Sequence, residues 1–125
     1  MDNNTSIRID DKEYELLLTT KATKEIAARY GGLEKLGDKL MKTKDFEKSI
    51  SEIIWLITLL ANQSILVYNI KNKDKPKALL TEEEVELLTS PSDLADYQNA
   101  ITNALIAGTQ RAVLSEDNPK NEEVE

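Results

Sequence analysis

The chain of 125 residues reads as an α+β protein, predominantly α-helical, in which a short N-terminal β-hairpin packs on a bundle of about four to five helices. Three observations predict this class. Two extended segments flank an Asp-Asp pair before residue 19; an apolar run from Phe46 to Asn69 repeats at three- and four-residue steps; and helix start and stop signals punctuate the remainder. With 40% hydrophobic and 31% charged residues the composition is that of a globular chain, long enough to bury roughly two thirds of its unfolded surface. One domain is expected over residues 1–114, with a disordered acidic tail over 115–125.

Ser6-Ile7-Arg8-Ile9-Asp10 alternates outward and inward residues, Asp10-Asp11-Lys12 supplies turn chemistry, and Tyr14 to Leu18 resumes extended character. A two-stranded hairpin is marginal by itself, so Ile7, Ile9, Leu16 and Leu18 should rest on helices. Thr19 or Thr20 is placed to cap a helix over Lys21 to Tyr30, with Ala22, Ile26, Ala27 and Tyr30 on one face. Gly31-Gly32 stops that helix, because glycine accepts the left-handed conformation. A short helix from Leu33 to about Met41 follows, carrying Leu33, Leu36 and Leu40.

The run Phe46 to Asn69 predicts a long helix with Phe46, Ile50, Ile53, Ile54, Ile57, Leu60, Ala61 and Ser64 on its repeating stripe. Around Trp55, Leu56 and Leu59 the apolar surface outgrows that stripe, which implies burial from more than one direction or contact with a partner. Thr58 and Asn62-Gln63-Ser64 interrupt it, so a membrane span is not expected. Lys71 to Lys77 is a charged, proline-bearing surface loop. Thr81 with Glu84 forms a capping box before a short helix to about Leu88. Ser90-Pro91 opens the last helix, which should run to about Val113 with Leu94, Tyr97, Ile101, Ala104, Leu105 and Ala112 inward. Gly108 inside it points to close packing or a kink. From Ser115 the tail is acidic and has almost nothing to bury.

Composition narrows the function. The chain has no His and no Cys, so it lacks the side chain that titrates near neutral pH, the usual thiol nucleophile and the two commonest zinc ligands. No enzyme, cofactor, metal site or disulfide framework is expected. The first five residues show neither a basic nor an apolar leader, and a cytoplasmic location is expected. A net charge of −7 repels phosphate backbones and anionic lipid, so neither nucleic acid nor membrane is an expected partner.

Candidate sites reduce to one. Glu82, Glu83 and Glu84 point about 100° apart along a helix and suit its N-terminal dipole better than a cation. Asp10 and Asp11 fit a turn and lack the calcium-loop pattern, and Gly31-Gly32 follows a helix where a phosphate loop would follow a strand. Lys71, Lys73, Lys75 and Lys77 read as a solvated loop. Trp55, the only tryptophan, with Leu56 and Leu59 on its side of the long helix, is left as the partner-binding or subunit-contact candidate, against an ordinary core role.

Several segments together resemble the tail assembly chaperones of long-tailed bacteriophages, and of prophages, of low-GC Gram-positive hosts. The residues that carry the resemblance are Ile9 to Leu16 leading into Thr19 to Thr23; Tyr30-Gly31-Gly32-Leu33-Glu34-Lys35-Leu36; Glu52 to Gln63; and Leu79-Leu80-Thr81-Glu82-Glu83-Glu84-Val85 with the helix passing Gly108. They span most of the chain to about Arg111, and they are scaffold and capping patterns with no catalytic fingerprint. The Asp10-Asp11 turn departs from the Asp-Gly or Asn-Gly such proteins carry. The resemblance implies a non-enzymatic protein of the host cytoplasm that keeps the tape-measure protein soluble, helps recruit tail-tube subunits and is left out of the virion. The surplus apolar surface of the long helix leaves two uses open, self-association as a homo-oligomer or contact with client helices. A longer frameshifted form occurs in many such phages. The competing reading is a small acidic protein–protein interaction module or regulator without catalytic activity.

Overall fold

The computed structural model describes residues 4–36 and 46–117, with side chains through residue 109 from residue 48 onward in the second stretch. Strands β1 (Ser6–Ile9) and β2 (Lys12–Glu15) pair antiparallel with Ile9 opposite Lys12, so the loop is the two residues Asp10 and Asp11. Asp10 adopts φ +58°, which a two-residue hairpin turn needs at its first position and which Asp tolerates better than most side chains. The glycine expected at the second turn position is dispensable, because Asp11 does not adopt a positive φ. Ile7, Ile9 and Leu16 are buried and Leu18 packs beside them, as the alternation predicts.

Helix α1 (Thr20–Tyr30) is capped by Thr19, whose hydroxyl accepts from the Ala22 amide at 3.0 Å, and ends at Gly31 with φ +94°. Its buried stripe is narrower than expected: Ala22 and Ile26 are inside and Tyr30 half-buried, whereas Ala27 is exposed. A single contact line at four-residue spacing suffices because α1 meets essentially one partner helix. Helix α2 begins at 33–36, where Leu36 is buried; its expected continuation through Leu40 to Met41 lies outside the described residues.

Helix α3 (Phe46–Lys71) is the axis of the fold, as its all-round apolar character implies. Ile53, Ile54, Leu56, Ile57, Leu60 and Ala61 are buried under the hairpin, α1, α4 (Glu82–Leu88) and α5 (Pro91–Asp117). The expected core place of Phe46 lies outside the described side chains. By length and composition alone Lys48–Lys71 would suffice to cross a bilayer, so Thr58 and Asn62-Gln63-Ser64 do not interrupt it enough to decide the matter. Several of its groups, however, are bonded to other segments of the same chain. Ser64 donates to the Glu15 carbonyl at 2.8 Å, the Leu17 amide reaches the Leu60 carbonyl at 3.2 Å, and the buried Gln63 is bonded to the Thr19 hydroxyl. Residues 15–19 thus lie as a strap across the middle of α3.

Both later helices start as their signals predict. Thr81 and Glu84 exchange the two bonds of a capping box at 3.1 and 2.9 Å. Ser90 and Asp93 repeat it ahead of α5. On α5, Leu94, Tyr97, Ile101 and Ala104 are buried and Leu105 half-buried; Ala112 lies outside the described side chains. Tyr97 donates to the Arg8 carbonyl and Asn103 to the Asn4 carbonyl, tying α5 along β1. Burial pushes the Tyr97 hydroxyl above its ordinary pKa, and Asp93 and Asp96 add to the shift. Gly108 serves close packing: a Cβ there would sit 2.7 Å from the Leu18 Cβ. Helix α5 continues to Asp117, beyond the Val113 end expected and into the segment expected to be tail. No glycine or proline follows Gly108 until Pro119, so nothing in Leu114-Ser115-Glu116-Asp117 stops a helix. Residues 118–125 lie outside the described residues.

Candidate functional site

The face of α3 that carries Trp55, Leu59, Asn62 and Leu66 forms the floor of an open groove between α1 and the segment entering α4. Four- and three-residue steps put these side chains in one row along the helix. Lys21 and Glu25 of α1 form one wall, paired to each other at 3.3 Å; Leu79 and Glu82 form the other. Trp55 and Leu59 are half-buried, giving apolar surface to the groove while resting on the core. Leu56 is not part of it. One residue is a turn of 100° around the helix, which carries Leu56 to the core side, 0% exposed and closed to any partner. The expectation that Leu56 accompanies Trp55 and Leu59 fails for that reason.

Trp55 is braced by residues that the sequence did not single out as a group. Helices α1 and α3 run antiparallel, since Thr19 meets Gln63 at one end and Tyr30 meets Glu52 at the other. Tyr30 lies edge-on to the Trp55 ring, with centroids 5.8 Å apart and planes at 74°. The Arg29 guanidinium stands 4.5 Å from the Trp55 ring centre and 3.5 Å from the Glu52 carboxylate, which also takes the Tyr30 hydroxyl bond. Arg29 in the last turn of α1 suits the helix dipole, and Glu52 precedes Trp55 by one turn. Those local signals exist in the sequence, but only the antiparallel packing brings them together.

Of the other candidates, Glu82 borders the groove. Glu84 is used in the cap, and among the described residues no group of three His, Cys, Asp or Glu side chains could hold a metal ion. Lys77 stacks its ammonium over Tyr68 at 4.4 Å, while Lys71, Lys73 and Lys75 border a shallow depression beyond the end of α3. Cations there complement the carbonyl end of the helix. The groove can therefore offer shape, apolar contact and a charged rim; it assembles no nucleophile with a base. Compared with protein-family models, curated proteins and solved structures, the chain matches none.

Proposed function

We propose that this protein is a tail assembly chaperone of a long-tailed phage or prophage, a non-enzymatic protein of the host cytoplasm that binds tape-measure protein and helps recruit tail-tube subunits. The observation that carries this reading is the groove on α3, floored by Trp55, Leu59 and Leu66 with Thr58, Asn62 and Gln63 beside them, and rimmed by Lys21, Glu25 and Glu82. A row of apolar side chains edged by polar ones, between two walls, suits the apolar stripe of an amphipathic helix, the form a long tape-measure polypeptide presents. The net charge of −7 keeps such a complex soluble and away from nucleic acid.

Co-expression with the tape-measure protein of the same phage tests the proposal. The wild-type chain should raise the soluble fraction of the client, and Leu59→Asp or Trp55→Asp should abolish that gain with helix content unchanged by circular dichroism. If both variants still solubilise the client, the groove is not its binding site. If the wild-type chain gives no soluble client, the chaperone reading fails.

A further inference from the structure

Both walls of the groove pack substantially against α3 alone, but different side-chain contacts hold them there. On the α1 side, Trp55 is braced by Arg29 and Tyr30, and the buried Gln63 bonds to Thr19. On the opposite side, α4 is seven residues long, and its substantial packing is against α3 alone. Only Val85 of α4 is buried, while Leu87 is 74% exposed and Leu88 49%. No backbone ladder joins the preceding segment to α3. Two side-chain amides do so instead: Asn62 with both backbone groups of Leu80 at 2.7 and 2.8 Å, and Asn69 with both of Lys77 at 2.8 and 3.0 Å.

We propose that α4 and the segment 77–81 leading into it are a displaceable occupant of α3, and that an amphipathic helix of the client takes the surface they leave. The inference rests on the chaperone reading and assigns the partner a shape. The floor of the open groove borders this wall, because Leu66 lies between Asn62 and Asn69 on the same side of α3 and lines the groove. Lifting α4 would add to that floor the surface now covered by Leu80 and Val85. The present occupant shows what the seat accepts, with Leu80 and Val85 inward and Glu82, Glu83, Glu84 and Glu86 outward. A client helix with a longer apolar stripe would cover more of the floor than seven residues can, and a basic flank on it would meet the carboxylate of Glu25 on the α1 wall, which stays in place. A helix of this length is not stable when detached, so displacement should melt it.

Hydrogen exchange read by mass spectrometry on the full chain, alone and in complex with the tape-measure protein, tests this. In the complex the amides of Lys77, Leu80 and Val85 should exchange at least tenfold faster, while those of α1 and the centre of α3 are unchanged or slower. Without client, Asn62→Ala with Asn69→Ala should speed exchange of residues 77–88 selectively, and should tighten client binding. A complex in which 77–88 remain as protected as in the free chain overturns the displacement and leaves the chaperone reading intact. Failure of the wild-type chain to bind client overturns both. Uniformly faster exchange across α1, α3 and α5 in the double variant would show that the amides support the whole fold, and would also overturn the displacement.

Discussion

Asn62 and Asn69, two turns apart on α3, close the same two-bond bracket on the backbone of one passing segment, the first on Leu80 and the second on Lys77. An asparagine amide presents the donor and acceptor that a neighbouring strand would, so a helix can hold an extended chain without a sheet. The brackets differ in burial. Asn62 works beside the buried Leu80, where unpaired backbone groups cost about 1–3 kcal/mol, whereas water can replace the exposed bracket of Asn69. Urea denaturation should show Asn62→Ala to be the more destabilising, by about 1 kcal/mol or more, with Asn69→Ala close to neutral. Equal losses would contradict the assigned difference in solvation.

Gly108 and Leu18 form a second pair whose geometry outweighs propensity. Alanine in the middle of α5 would gain about 1 kcal/mol over glycine on intrinsic grounds. The added Cβ would meet the Leu18 Cβ at 2.7 Å and its Cδ2 at 2.8 Å, and a Cβ cannot swing aside. Gly108→Ala should therefore destabilise by about 1–3 kcal/mol. Combined with Leu18→Ala the penalty should be less than additive, because the Cδ2 clash is removed. Thermal melts of the four-member cycle measure this.

Leu56 and Leu59, three residues apart, should separate stability from binding. Leu56→Ala removes a fully buried side chain and should cost about 2–5 kcal/mol. The half-buried Leu59 should cost less in stability and more in client solubilisation. Equal effects of the two on client solubility, measured at matched folded fraction, would remove the groove from consideration.

Tyr97 gives an alkaline signature. Its hydroxyl is neutral while it donates to the Arg8 carbonyl, and burial first, then Asp93 and Asp96, raises its pKa in the folded chain. A raised folded pKa means the unfolded chain loses its proton first, so this contribution is complete below about pH 10 and is lost as pH rises through the higher folded value. Tyr97→Phe should lower stability by about 1 kcal/mol at neutral pH and flatten the fall above pH ~10. A variant with the wild-type alkaline slope would show that Tyr97 does not titrate in unfolding.

Much of the architecture could be read from local pattern. The capping box at Thr81 and Glu84, the cap at Thr19, the stop at Gly31 and the apolar stripe of α3 are written in neighbouring residues, because each depends on dihedral preference and periodicity within a few positions. What failed was finer. Ala27 lies outside a stripe one residue too wide, α5 passes Val113 because no breaker intervenes, and Leu56 turns to the core side of its helix, away from the groove.

The sequence by itself determined the element order, the hairpin and a central helix apolar beyond one face, since these follow from spacing along the chain. Only the tertiary structure decided which part of that surplus surface is closed and which is open. Arg29 and Glu52 frame Trp55 because α1 lies antiparallel on α3, and residues 77–80 are gripped by Asn62 and Asn69 because the chain turns back along that helix. Contacts between residues this far apart depend on the orientation of whole helices, which no local pattern encodes.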